Sequence, residues 1–179
     1  MKNIKQKIIG LLALVFSMSF ITNAQDSKAY LGLSAGFALP LGDLGDVVEP
    51  GFELGLINIG FRFNETFGVA LNWGASAHNV TDTDGELALG VGYFALGPMI
   101  SIARLDIKPQ YAAISGVITD GSEEITEDGS GFILGTSYNF SISDYFGISA
   151  NADFLSLKFE NADESDNIIK LSAGIRYLF

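Results

Sequence analysis

His78 is the single histidine of the chain, and Ser76 stands two residues before it. On an extended backbone, residues two apart share a face, so this hydroxyl and imidazole can meet, as in an activated serine nucleophile. Such a pair needs an acid to orient the ring and access to an acyl group. Asp82 and Asp84 follow in the next segment, but any of the fifteen acids in the long connectors could approach by chance. The expected role of His78 is therefore that of a rim residue facing water, and the chain is expected to be non-enzymatic and without cofactor. The same segment, Asp82-Thr83-Asp84-Gly85-Glu86, alternates oxygen ligands before a glycine turn, like the start of a calcium loop. The later ligands and the closing bidentate glutamate are missing at the required spacing. Asp82, Asp84 and Glu86 are thus a fragment of a metal site, and no specific metal is assigned to them.

Composition narrows the field further. There is no cysteine, which removes disulfides, thiol catalysis and thiolate metal sites. Acidic residues number 21 against 10 basic ones, which argues against a nucleic-acid partner. Lys2, Lys5 and Lys7 precede an apolar stretch of fourteen residues, Ile8 to Ile21, and then the small residues Thr22-Asn23-Ala24. Residues 1–24 read as a secretory signal peptide, because fourteen residues fall short of the ~20 that span a bilayer as a helix. With no cysteine after the apolar run, a lipid-anchored lipoprotein is not expected. Removing those three lysines takes the net charge from −11 to −14 for residues 25–179.

The elements that must position these residues follow one grammar. No window after Gln25 shows a helical apolar period, while alternation with period two recurs and predicts eight strands. Leu31, Leu33, Ala35, Phe37 and Leu39 share a face in the first. Phe67, Val69, Leu71 and Trp73 do so in the third, and Ile169, Leu171, Ala173, Ile175, Tyr177 and Phe179 in the last. The second stretch changes parity between Leu56 and Ile57, which a bulge would reconcile. The fourth keeps Leu87, Leu89, Val91 and Tyr93 in phase and then loses the pattern near Phe94 and Leu96. There, Gly90 and Gly92 are expected on the small-residue face. Connectors alternate between short turns and four long segments, 42–50, 79–86, 117–129 and 160–167. These hold fifteen of the 21 acids and no Lys or Arg. That layout predicts an all-β, eight-stranded, antiparallel up-and-down transmembrane barrel.

Which face turns inward is decided by size. The face opposite the large apolar residues is mostly Gly and Ser, which suits the cramped interior of an eight-stranded barrel rather than a wet surface. The large residues then meet lipid, with Phe61, Phe63, Phe67, Phe140 and Phe146 as an aromatic girdle beside the short turns, joined by Tyr145, Tyr177 and Phe179. The lumen is expected to hold a charge network of Arg62, Arg104, Asp106, Lys108, Asp153, Lys170 and Arg176. Lumen charges of both signs argue for a closed barrel rather than a steady aqueous pore.

Signal peptide, eight alternating strands, short turns against long loops and a terminal Phe together resemble the OmpA/OmpX-like family of small outer-membrane β-barrels. Ser172-x-Gly174-x-x-Tyr177-x-Phe179 is similar to the terminal signal by which the outer-membrane assembly machinery recognises such barrels. The resemblance implies localisation in the cell outer membrane, with outer-membrane lipid, lipopolysaccharide and that machinery as partners. Residues 25–179 are expected to form a single monomeric barrel domain, with no periplasmic cell-wall-binding domain after it. Divalent cations are expected to gather at the acidic loops. The function expected is structural support of the envelope or surface interaction, with a small-solute or ion channel as the alternative.

Overall fold

Alternating strands can bury one face and still expose two edges, so their stability depends on where the edges go. A computed structural model of the chain describes residues 28–81, 83, 87–120, 124–162 and 164–179. Its elements are β1 (Ala29–Leu41), α1 (Asp43–Val47), β2 (Gly51–Arg62), β3 (Phe67–Asn79), β4 (Ala88–Ile102), β5 (Leu105–Thr119), β6 (Glu124–Ser141), β7 (Phe146–Phe159) and β8 (Asp166–Leu178). Each strand pairs antiparallel with its chain neighbours, and β1 closes on β8 from Tyr30↔Leu178 to Leu41↔Asn167. The expected leader, residues 1–24, lies outside the described residues.

The parity change in β2 is a bulge. Pairing with β1 shifts between Gly32↔Asn58 and Ser34↔Gly55, and pairing with β3 shifts between Gly55 and Ile57. One extra residue there keeps Phe52, Leu54 and Leu56 outward on one side of it and Ile59 outward on the other. It also turns Glu53, Asn58 and Arg62 to the same interior. Gly60 is needed on that inner face, because a Cβ there would overlap the ring of Tyr30.

Strand β4 departs from expectation. Its ladder with β3 runs unbroken from Phe67↔Ile100 to Asn79↔Ala88, so its parity never slips. Phe94 pairs with the outward Trp73 and is itself outward, as is Leu96. Leu89, Val91 and Tyr93 therefore point inward, and Gly90 and Gly92 outward, the reverse of the expected arrangement. Space for these larger residues comes from Ala38, Ala95 and Ala112, which are small and fully enclosed on neighbouring inner positions. The expected long loop at 117–129 is also mostly strand: β5 and β6 stay paired out to Thr119↔Glu124. Val117, Ile118, Thr119, Ile125 and Thr126 are β-branched and favour that extension.

At the β1–β8 seam, a Cβ on Gly36 would fall 2.7 Å from that of Ser172 and would overlap the Leu171 carbonyl. Gly36→Val should thus cost about 1–3 kcal/mol by overpacking the seam. Ala35→Val, on the outward neighbour, should be tolerated. Urea unfolding of the reconstituted barrel, followed through the single tryptophan Trp73, checks both. Equal stability of the two variants would place Gly36 outside the lumen.

Candidate functional site

The lumen is organised around one carboxylate. Asp106, on β5 near the short-turn end, has no solvent exposure, so its charge must be met by donors. Four converge on it. Oδ1 accepts from Arg62 Nη2 at 3.1 Å and Ser101 Oγ at 2.7 Å. Oδ2 accepts from Asn139 Nδ2 at 2.8 Å and Arg176 Nη1 at 3.3 Å. These donors sit on β2, β4, β6 and β8, so a single side chain links alternate strands around the circumference. Arg62 Nε also donates to Ser101 Oγ at 3.0 Å, and the Arg176 guanidinium lies 4.0 Å from the centre of the Tyr30 ring.

A second ion pair lies further along the barrel. Glu53 Oε1 accepts from Tyr93 Oη at 2.6 Å and from Lys170 Nζ at 3.4 Å, while that ammonium sits 3.5 Å from the Tyr93 ring centre. Between the two centres, Asn72 donates to Gln110 at 2.8 Å and Gln110 to the Ala70 carbonyl at 3.0 Å. Lys108 is buried with its ammonium on Ser137 Oγ at 2.7 Å. Asp153 faces the lumen across Gly135 from Lys108, and a Cβ on that glycine would fall 2.7 Å from its Oδ1. Among the described residues the ion pairs are Arg62–Asp106, Arg176–Asp106 and Lys170–Glu53, so neither Asp153 nor Lys108 enters one.

Of the seven residues expected in the lumen network, Arg104 is the exception. It stands exposed in the turn between β4 and β5, where its backbone carbonyl accepts the amide of Asn139 at 2.8 Å. A two-residue turn holds its side chains beyond the rim, whatever parity the flanking strands keep. Glu53, Tyr93, Ser101 and Asn139 were absent from the expected set. Glu53 carried a usable signal, since it alternates with Phe52 and Leu54.

Toward the loop end the lumen also holds an apolar cluster, beside the buried polar side chains of Glu53, Ser76, His78 and Lys170. Leu89, Val91, Ile114, Ile133, Leu155, Leu157 and Ile168 form a buried cluster there, with Leu44 of α1 and Phe159 packed against it. His78 is not a water-facing rim residue: it is 2% exposed. Its Nε2 is 2.9 Å from Ser76 Oγ and its Nδ1 3.0 Å from the Glu49 carbonyl, so it fastens the segment after α1 to β3. A backbone carbonyl rather than a carboxylate meets the imidazole Nδ1, and the Ser76 hydroxyl is buried. Asp82, Asp84 and Glu86 lie outside the described residues.

On the outer wall, Phe63, Phe67, Phe140, Tyr145, Phe146, Tyr177 and Phe179 are exposed beside the short turns, with Phe61 half-buried edge-on to Phe63. Tyr177 packs edge-on with Phe146 and Phe179 and stacks on Tyr145. Within the terminal motif, Ser172 faces inward and accepts the Asn151 amide at 3.1 Å. Gly174 is also inward, close to Ser149, while Tyr177 and Phe179 face outward.

An apolar outer wall around a polar and ionic lumen is the inverse of a soluble barrel and defines a class of fold. No protein-family profile and no curated protein matches the chain. Solved structures do. Neisserial surface protein A aligns with TM-score 0.62 at 17% identity, over 87% of this chain and 100% of that one. A major outer membrane protein from Thermus thermophilus aligns with TM-score 0.52 at 14% identity, over 85% of this chain and 98% of that one. The chain therefore has the fold of the small eight-stranded outer-membrane β-barrels.

Asp106→Leu leaves the buried Arg176 and the partly exposed Arg62 without their carboxylate and should cost about 3–5 kcal/mol. Arg176→Leu leaves Asp106 with three of its donors and should cost less, about 1–3 kcal/mol. Urea unfolding of both variants, with the double variant to measure coupling, checks the order. A larger loss for Arg176→Leu would mean that the carboxylate is not the shared centre.

Proposed function

We propose that this chain is a non-enzymatic, integral outer-membrane protein whose closed barrel supports the envelope and presents acidic loops to the exterior. One observation carries this reading: the wall is apolar on the outside, while an ionic hub crosses the lumen near one end and an apolar cluster fills it toward the other, which we read as a seal. Such a wall needs lipid to cover it, and charge is kept off the lipid face because it costs about 2–4 kcal/mol near the midplane. Asp43, Asp46, Glu49, Glu124, Asp128 and Glu160, all exposed, lie at the long-loop end, away from the aromatic girdle. We assign that end to the cell exterior, where divalent cations would bridge it to lipopolysaccharide phosphates. Residues 1–24 would direct export, and the chain would work as a monomer, since a closed barrel offers no edge for pairing.

The seal ranks this reading above a channel. A water-filled path would have to pass Leu89, Val91, Leu155, Leu157 and Ile168, all within the buried plug. The enclosed Ser76–His78 pair likewise favours structure over catalysis.

Electrophoresis in dodecyl sulfate, unboiled against boiled, should show a mobility shift, because a lipid-facing barrel stays folded in cold detergent. Planar bilayers carrying the protein should stay electrically silent. Absence of the shift in a periplasm-soluble protein would overturn the membrane reading, and steady conductance would replace the structural role with transport.

Strand β8 is proposed as the segment that the assembly machinery reads, through Ser172, Gly174, Tyr177 and Phe179. Deleting Phe179 should lower membrane assembly in cells several-fold while costing the refolded barrel roughly 1 kcal/mol or less, since its ring is exposed. Normal assembly of the deletion variant would remove β8 as the recognised signal.

A further inference from the structure

We infer that the mouth at the short-turn end binds phosphate-bearing anions. This inference stands on the geometry of that mouth and goes beyond the structural role proposed above.

The mouth is a cavity of about 930 Å³ between the β2–β3, β4–β5 and β6–β7 turns, with Lys28, Arg62, Arg104 and Arg176 among its lining residues. Residues 25–179 contain only seven basic side chains against 21 acidic ones, so four of the seven gather at one opening. Lys108 and Lys170 are buried on Ser137 and Glu53, and Lys158 lies on β7 toward the opposite end. Setting Asp106, the lining acid Glu65 and Asp144 in the β6–β7 turn against the four cations leaves a small positive excess at the mouth, in a chain that is otherwise strongly acidic. A concave opening with low-dielectric walls focuses that field on approaching anions.

The donors suit a tetrahedral oxyanion. Arg62 has a side chain 28% exposed and commits only two of its five N–H groups, to Ser101 and Asp106. Arg176 commits one, to Asp106. No hydrogen bond or ion pair occupies the side chain of Lys28 or Arg104 among the described residues, and Arg104 stands free on its turn. Asp106 holds Arg62 and Arg176 at fixed positions, so little side-chain entropy is lost when a ligand arrives. Guanidinium forks match phosphate oxygens. Free phosphate and the phosphate of a lipid headgroup share this chemistry.

The test uses the full chain folded in maltoside micelles, which carry no phosphate, with backbone amides observed by nuclear magnetic resonance at constant ionic strength. One arm adds inorganic phosphate, the other a short-chain phosphatidylglycerol. Saturable shifts confined to the amides of Asn64 to Phe67 and Ala103 to Arg104 are expected in at least one arm. Saturation by inorganic phosphate identifies a free anion as the ligand, and saturation by the lipid alone identifies a headgroup; either supports the site. Lys28→Gln with Arg104→Gln spares the Asp106 centre and should weaken binding about tenfold or more, the loss of two charge-assisted contacts. Arg104→Gln alone should give a smaller loss in the same direction. Scattered or non-saturating shifts in both arms would overturn the inference. So would unchanged affinity in the folded double variant.

Discussion

A charged carboxylate enclosed by protein is tolerable only when donors surround it, and Asp106 has four, one from each of β2, β4, β6 and β8. Much of the barrel can be read from that requirement. The donors come from alternate strands, so the four chains of contact cross the lumen rather than run along one wall. They fix how far apart the strands can stand at the short-turn end. Arg62 reaches the centre only because the bulge at Leu56 restores inward parity to the last residue of β2. Without that extra residue Arg62 would face outward, among the phenylalanines, and its charge would have no partner. Backbone irregularity and buried charge are therefore one feature seen at two levels.

The other end of the lumen answers the same packing problem with different chemistry. Small inner residues, Ala38, Ala95 and Ala112, leave room that Leu89, Val91, Leu155 and Ile168 fill without any polar partner. An apolar plug needs no exact pairing, so it tolerates the long and varied loops above it. Leu44 of α1 and the Val48↔Val80 bridge continue the plug into the rim, and His78 fastens the same segment through the Glu49 carbonyl. Packing across the lumen is thus ionic and directional below, mainly apolar and non-directional above.

Strand count, closure, the outward aromatic face and most lumen charges were legible in the sequence because each follows from period two. The bulge was legible as well, since two clean parities flank Leu56. Strand β4 was not, for a physical reason. Its inner face near the loops carries large apolar residues and its outer face glycines, so size alone assigned the faces backwards there. Register against Trp73 settles it, and register is a property of pairs of strands rather than of one. Arg104 misled for a related reason: strand parity predicts nothing once the chain enters a two-residue turn. Partners within the lumen were illegible throughout, because Asp106 and Arg176 are seventy positions apart in the chain. His78 reads as a rim residue from its own strand alone, because the segment that meets it, after α1, lies 29 positions away in the chain.

Charge is also divided along the barrel axis, and the division follows from the two kinds of connector. The segments 42–50, 79–86, 117–129 and 160–167 hold fifteen of the 21 acids, and Asp43, Asp46, Glu49, Glu124, Asp128 and Glu160 stand exposed at that end. Short turns have few positions, and the cations nearest them must either stand in the turn, like Arg104, or fold back into the mouth, like Arg62 and Arg176. The acidic excess therefore sits at the loop end, while four of the seven basic side chains of residues 25–179 gather at the other. An anion is repelled from the loop end and drawn to the short-turn mouth, where Asp106 absorbs only part of the charge that gathers around it.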